Sequence, residues 1–565
     1  MGHPWLRFYG DVPASLPYPE VTLHEALAAS AARSPDAVAW SFFGRESTYR
    51  ELQADVARCA NALAREGLGR GQRFLISMPT TPQAVIAFYA AIRLGAIPAL
   101  IHPLSTPAEI TQYLDATGAR VALTLDAFYP GIAGAKPRVP LERIILARVA
   151  DYLPGFKRLA FWLARGRRIA RVPADTRVRW WNQMMRAPAP SAPVSTALTN
   201  DPAVILFSGG TTDRPKGIVL SHRNFVAEGM EAAAWCGLGA GDSMLAVLPI
   251  FHGFGLGVCI NATLMAGGKA ILVPQFGAAI VAKLLREERP SVLVGVPTIY
   301  EALTRDPTLA NADLSCVRAC FCGADTLPRP VKEAFEAMVA RSGGRVKLLE
   351  GYGLTEAVAG IMATPLTEYR EGSMGVPLPD ICAKIVAAGG IDEAPAGTEG
   401  EICVSGPAVM LGYLDDPQAT AGALRKHADG RTWLHTGDLG RMDADGFFYF
   451  SARLKRMIKS SGFNVYPAQV EDVLRAHPDV LEACVIGVPD PHQVERVKAC
   501  IVARDPEKAG PELGERLIAH CRERLIKWSC PREVEFMAEL PLTKVGKVDY
   551  RELVRRHEAR EETHA

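Results

Sequence analysis

The hydrophobic positions along this chain alternate between two patterns, the 3–4 spacing of a half-buried helix and the short unbroken apolar run of a buried strand. Residues 22–34 have helical spacing, 38–43 read as extended, and 49–66 are helical again up to the stop at Gly67. A strand at 73–78, a helix at 82–94 and a strand at 97–101 continue the alternation, which predicts a largely parallel sheet covered by helices. Gly67, Gly69 and Gly71 fall between a helix and a strand, the reverse of a dinucleotide-binding turn, and read as a helix stop.

Residues 187–202, rich in Pro, Ala and Ser, read as a linker closing this first block. A helix at 221–234 and strands at 244–248 and 346–349 follow, and from 372 to 449 the runs shorten and turn residues multiply. Helix and strand then alternate again at 468–476, 480–486, 497–502 and 513–525. The fold class expected is therefore α/β. A large N-terminal domain, 1–454, comprises two doubly wound αβ subdomains (1–190 and 200–365) and a small β-rich one (370–450), followed by a small α+β domain over 455–565.

Length agrees with this division, since 565 residues at roughly 150 per domain imply about four structural units. With 48% hydrophobic and 22% charged residues the composition is globular, and a net charge of +2 argues against a nucleic-acid binder. The twelve cysteines show no repeated pair spacing. Cys320 and Cys322, on one strand face near Cys316, lack zinc spacing and histidine partners, so they read as reduced core thiols. No apolar run approaches the roughly 20 residues of a membrane span, no signal peptide is evident, and Leu6 stands where a myristoylation signal has Ser or Thr. A cytoplasmic protein is expected.

The candidate chemistry begins at Val204-Ile-Leu-Phe-Ser-Gly-Gly-Thr-Thr-Asp-Arg-Pro-Lys-Gly217. A short buried strand breaks into Gly209 and Gly210, two hydroxyls at Thr211 and Thr212, and a cation at Lys216. Glycines let backbone N–H groups approach oxygen anions, hydroxyls donate further bonds, and the lysine adds a point charge, which together make a phosphate cradle. It is not a Walker loop, because Gly217 stands where that motif has Ser or Thr. The bland alternative is a Gly/Thr-rich surface turn.

The stretch from Ser208 to Gly217 resembles the nucleotide-phosphate signature of the adenylate-forming superfamily, which includes acyl-CoA synthetases, luciferases and the adenylation domains of peptide synthetases. Asp213 departs from it, since the family usually has glycine there. The second strong motif is Glu350-Gly-Tyr-Gly-Leu-Thr-Glu356. There Tyr352 offers a flat face to a purine, Thr355 a hydroxyl to a phosphate, and Glu356 a hard oxygen ligand for Mg²⁺ together with Thr211. Glu350, Gly351 and Gly353 belong to the same nucleotide-binding segment. His252, in a segment that also matches the superfamily, is implied to lie by the carboxylate being activated, and Gly323 and Ala324 are implied to line the substrate pocket. Taken alone, a single histidine in an apolar turn is more often structural.

The resemblance further implies that Asp438, in Thr436-Gly-Asp438, binds the ribose hydroxyls together with Arg453, that Lys455 is the hinge to a mobile lid, and that Gly462 faces coenzyme A. Ala452 stands where the family has Gly or Asp. Of the two lysines in Thr543-Lys-Val-Gly-Lys547, a charged surface loop on its own terms, the family pattern selects Lys547 as catalytic.

These matches run from about residue 20 to 550 in family order. They imply an acid–thiol ligase using ATP, Mg²⁺ and coenzyme A: the acid attacks the α-phosphorus to give acyl-AMP, and rotation about Lys455 then withdraws Lys547 and admits the thiol. A medium- or long-chain fatty acid is the expected substrate. The rivals are an acyl-AMP ligase loading a carrier protein and a catalytically silent nucleotide-binding protein. One segment stands outside this scheme. Residues 153–168 mix Phe156, Phe161 and Trp162 with Lys157, Arg158, Arg165, Arg167 and Arg168, which reads either as an ordinary surface helix or as a peripheral contact with the inner face of a membrane.

Overall fold

A computed structural model of the chain describes residues 3–564 apart from 165, 187–190, 192–193, 209–214, 310–311, 388, 461–462, 491–493 and 544–547. The helices begin where side chains can satisfy their first N–H groups. Thr22 accepts a hydrogen bond from the Glu25 N–H while the Glu25 carboxylate accepts one from the Thr22 N–H, and Thr48 with Glu51 repeats the arrangement. Helices Leu23–Arg33 and Tyr49–Arg65 follow directly, as their hydrophobic spacing predicts.

Two compact units result. The first comprises Met1–Cys382, Val404–Lys426 and Gly430–Leu434. It holds two large sheets whose central strands are parallel, the expected α/β pattern. In the eight-stranded sheet, Arg73–Ser77 lies between Ile97–Leu100 and Val121–Leu125, and Pro202–Ser208 pairs parallel to Ile97–Leu100. In the nine-stranded sheet, Val292–Gly295, Ala319–Cys322 and Leu349–Gly353 run side by side in parallel. Val38–Phe42 joins this second sheet, pairing parallel with Lys269–Leu272 on one side and antiparallel with Arg45–Thr48 on the other.

The second unit comprises Ala383–Cys403, His427–Asp429 and His435–Ala565. Long antiparallel strands Val480–Asp490 and Val494–Ala503 form the centre of its α+β portion. Their apolar face packs with Val470 and Leu474 of helix Pro467–Arg475 and with Leu513 and Leu517 of helix Pro511–Arg522. Phe448–Arg453 pairs antiparallel with Thr432–Met442 in a separate small sheet.

Three local features differ from the sequence reading. The strand expected at 346–349 lies later, at Leu349–Gly353, and so takes in the first part of the Glu350 motif. Its glycines make this feasible, because a Cβ on Gly353 would sit 1.7 Å from the Ala359 carbonyl oxygen across the antiparallel pairing with Gly360–Ala363. Residues after His252 form a π-helix, Phe254–Ala262, an uncommon winding that recurs at functional sites. The short strand Gly412–Tyr413, which reads with the β-rich segment, instead edges the eight-stranded sheet against Lys216–Ser221. All twelve cysteines are free, and among the described residues no helix is long and apolar enough to cross a membrane.

Candidate active site

Strand Pro202–Ser208 runs antiparallel to Lys216–Ser221 with Ser208 opposite Lys216. Gly209, Gly210, Thr211, Thr212 and Asp213 lie outside the described residues. Lys216, at the start of its strand, places Nζ 4.9 Å from the centre of the Tyr413 ring, a cation–π distance. The Tyr413 hydroxyl donates to Glu356 Oε1 at 3.0 Å, and the Met410 N–H donates to the Glu356 carbonyl at 2.8 Å. Burial first, and the Glu356 charge second, push the Tyr413 pKa up, so the phenol stays a donor. Two motifs far apart in sequence thus meet through a residue to which the sequence assigned no role.

The turn Thr355–Ala357 leads into Val358, whose φ of 63° is strained for a β-branched residue. What over-determines it is close packing: a Cβ on Gly253 would lie 1.7 Å from the Val358 carbonyl oxygen. The His252 turn and the Thr355–Glu356 turn are therefore in direct apposition. Within the first turn, His252 Nδ1 accepts the Phe254 N–H at 3.2 Å, which in a neutral ring leaves the proton on Nε2. Gly323 closes the same wall, since a Cβ there would lie 3.0 Å from the Gly351 carbonyl and 3.3 Å from the Phe254 ring. Ala324 beside it has a φ of 71°.

Glu350 sits in that wall with Oε2 buried and unmatched by any hydrogen bond. Desolvation raises its pKa to about 7, opposed by the Lys332 cation. Tyr352 is half-buried on the same strand, and Thr355 is half-buried in the turn that follows.

In the second unit, Asp438 and Arg453 face each other across antiparallel strands, with Arg453 Nε 3.1 Å from Asp438 Oδ1. Glu401 builds the turn that presents them. Its Oε1 accepts the Gly437 N–H at 3.0 Å, and its Oε2 lies 2.8 Å from His435 Nδ1. The Thr436 hydroxyl donates to the Ile402 carbonyl at 2.7 Å and accepts the Asp438 N–H at 3.1 Å. Lys455 lies in the turn Leu454–Arg456, where Arg456 Nη2 reaches Glu471 Oε1 at 2.6 Å and its guanidinium stacks 4.8 Å from the Tyr550 ring. Gly462 and Lys547 lie outside the described residues.

Tyr413 and Glu401 are the site residues that sequence reasoning passed over. Both stand in the stretch of short runs and turns from 372 to 449, Tyr413 in Met410-Leu-Gly-Tyr413 and Glu401 in Gly400-Glu-Ile-Cys-Val-Ser-Gly-Pro407, and nothing local to either says what its side chain reaches.

A family model described as AMP-binding enzyme matches residues 27–414, and one described as AMP-binding enzyme C-terminal domain matches 469–547. The long-chain-fatty-acid–CoA ligase of Bacillus subtilis (strain 168) is 36% identical over 566 residues, covering 98% of this chain and 97% of that protein. A feruloyl-CoA synthase of Amycolatopsis sp is 33% identical over 526 residues, covering 93% of this chain and 96% of that protein. Among solved structures, the anthranilate CoA ligase AuaEII in complex with anthranoyl-AMP matches with a TM-score of 0.82 at 26% identity, over 97% of this chain and 99% of that one. The chain belongs to the AMP-binding enzymes, the adenylate-forming superfamily. Its activity class is that of an AMP-forming acid–CoA ligase.

Proposed function

We propose that this ligase activates a medium- or long-chain fatty acid as acyl-AMP and passes the acyl group to coenzyme A. The observation that carries the adenylation chemistry is the meeting of Lys216 and Glu356 at Tyr413, beside the His252 turn and the small-residue wall of Gly323. A carboxylate is already nucleophilic, so the protein need only align it with the α-phosphorus and neutralise charge on the departing pyrophosphate. Lys216 and Lys547 supply cations for this, with donors from Ser208, Gly209, Gly210, Thr211, Thr212 and Thr355. His252 stands by the reacting carboxylate.

Tyr352 and the half-buried Glu350 take the purine, the latter as an acceptor for an exocyclic amine, and Asp438 with Arg453 takes the ribose. Glu356 and Thr211 are hard oxygen donors of the kind Mg²⁺ accepts. The ion, when bound, supplies neutralisation of phosphate charge. Lys455 is the proposed hinge between 1–454 and 455–565. Arg456 beside it is fixed to Glu471 of the α+β core, so a change of backbone angle at Lys455 is transmitted to that core as one body.

The fatty-acid assignment is supported by the near full-length similarity to the Bacillus subtilis ligase, and a lipid-borne acid suits the exposed apolar helix at 155–164. The test is incubation with ATP, Mg²⁺ and coenzyme A against octanoate, palmitate, ferulate and benzoate, read by mass for acyl-AMP and acyl-CoA. Palmitoyl- or octanoyl-CoA is expected at the highest kcat/KM. Preference for ferulate or benzoate would overturn the fatty-acid reading. Acyl-AMP accumulating without acyl-CoA would instead point to a carrier protein as acceptor.

A further inference from the structure

Helix Gly155–Ala164 is built with its apolar face outward. Phe156, Leu159, Trp162 and Leu163 recur at three- and four-residue spacing and share one face. In a helix packed on its own domain that face would be covered, yet these residues are 73%, 60%, 53% and 50% exposed. The half-buried positions are Lys157 and Phe161, one turn apart on the other side. Lys157 explains the orientation, because its Nζ donates to the Phe43 carbonyl at 2.7 Å and pins its own side of the helix inward. Just upstream, Tyr152 and Leu153 are buried, so the helix is anchored at its start as well.

Four large apolar side chains on about two exposed turns make a patch of the kind that marks an interaction surface. Its surroundings narrow the partner. Between Leu153 and Arg168 the chain carries Lys157, Arg158, Arg165, Arg167 and Arg168 and no acidic residue. Arg158 is exposed beside the apolar face, and the Arg167 guanidinium stacks 4.6 Å from the Trp162 ring. A helix that is apolar on one side, flanked by cations and carrying a tryptophan at the boundary matches a water–lipid interface with anionic headgroups. A protein groove would need no such excess of one charge sign.

From this juxtaposition we infer that helix Gly155–Ala164 docks the enzyme on an anionic lipid surface. The apolar face enters the acyl boundary, and the arginines meet the headgroup phosphates. This placement does not depend on which acid the active site accepts.

The experiment is co-sedimentation of the full chain with phosphatidylglycerol/phosphatidylcholine vesicles and with pure phosphatidylcholine vesicles, at low and at high salt. Binding to the anionic vesicles is expected, weakened by salt and reduced about tenfold or more in Arg158→Glu/Arg167→Glu/Arg168→Glu. Leu159→Ser/Trp162→Ser should lose it too. These side chains are exposed, so both variants should keep the wild-type melting temperature and their turnover of a soluble acid. Wild-type fluorescence should shift to shorter wavelength with anionic vesicles, and Trp162→Phe should not. No binding by the wild type, equal binding to neutral vesicles, or unchanged binding in either multiple variant would overturn the inference. Self-association abolished by Leu159→Ser/Trp162→Ser in the absence of vesicle binding would also overturn it and assign the face to a second copy of the chain.

Discussion

Arg453 Nε lies 3.1 Å from Asp438 Oδ1, directly opposite it in the antiparallel register, but the two side chains are exposed to very different degrees, 59% and 5%. A pair so exposed on one side contributes little to stability, about 0–1 kcal/mol. Its value is orientation: the arginine holds a carboxylate whose backbone is already fixed by Thr436 and Glu401. Arg453→Ala should therefore leave the melting temperature nearly unchanged while raising KM for ATP about tenfold, the loss of one charge-assisted hydrogen bond. A melting temperature lowered by many degrees with KM unchanged would make the pair structural.

Tyr413 links Lys216 to Glu356, so removing only its hydroxyl isolates that link. Tyr413→Phe keeps the ring under Lys216 and leaves Glu356 Oε1 without its 3.0 Å donor. Adenylate formation should fall about tenfold to a hundredfold, as expected for a hydrogen bond to a charged group, with folding intact. The check is the initial rate of acyl-AMP formation across a Mg²⁺ titration. A rate equal to wild type at every concentration would remove Tyr413 from the site.

Much of this was legible in the chain because the superfamily's motifs carry their chemistry locally. The helices at Leu23–Arg33 and Tyr49–Arg65 needed only hydrophobic spacing, and the residues Asp438 and Arg453 were singled out by the resemblance to the superfamily. Tyr413 was not legible, since its role depends on a two-residue strand pairing with a strand nearly 200 positions earlier (413 − 218), where it faces Ile218. Glu401 was hidden for the same reason: a carboxylate that organises a distant turn has no local signature. The outward face of Gly155–Ala164 could be drawn on a helical wheel, but which side packs inward was decided by one lysine reaching the Phe43 carbonyl. The strand character of the Glu350 motif depended on tight approach to Ala359 that only glycine permits.

Glu228 and Glu231, on the helix His222–Cys236, are fully buried, and both Glu228 oxygens lack a hydrogen-bond partner. Burial raises the Glu228 pKa from 4.5 to about 8, and burial together with the Glu228 charge raises that of Glu231. Below pH 4.5 both folded and unfolded chains hold the Glu228 proton, and its titration contributes no slope. Between 4.5 and 8 only the folded chain keeps it, so stability declines by up to about 1.4 kcal/mol per pH unit, levelling off above 8. Glu228→Gln should flatten this decline, and melting scans from pH 5 to 8.5 should show the variant's advantage growing with pH. A constant difference across that range would show that Glu228 does not titrate as its burial requires.

The two lysines proposed to divide the reaction should be separable by half-reaction. Lys547→Ala should abolish acyl-AMP formation from acid and ATP but largely spare thioester formation from preformed acyl-AMP, since its cation acts on pyrophosphate departure. Lys455→Pro should do the reverse, because a fixed φ blocks the second conformation. Rapid-quench assays of each half-reaction check this. Equal loss of both halves in Lys547→Ala, or full thioester activity in Lys455→Pro, would refute the assignment concerned.

The central claim is that the substrate carboxylate itself attacks the α-phosphorus of ATP, with the protein supplying alignment and charge. Fatty acid labelled with oxygen-18 in both carboxyl oxygens tests it most directly, by mass analysis of the AMP released during a single turnover with coenzyme A. One labelled oxygen in the AMP, with pyrophosphate unlabelled, is the predicted result. Unlabelled AMP, or label recovered in phosphate or pyrophosphate, would contradict the account.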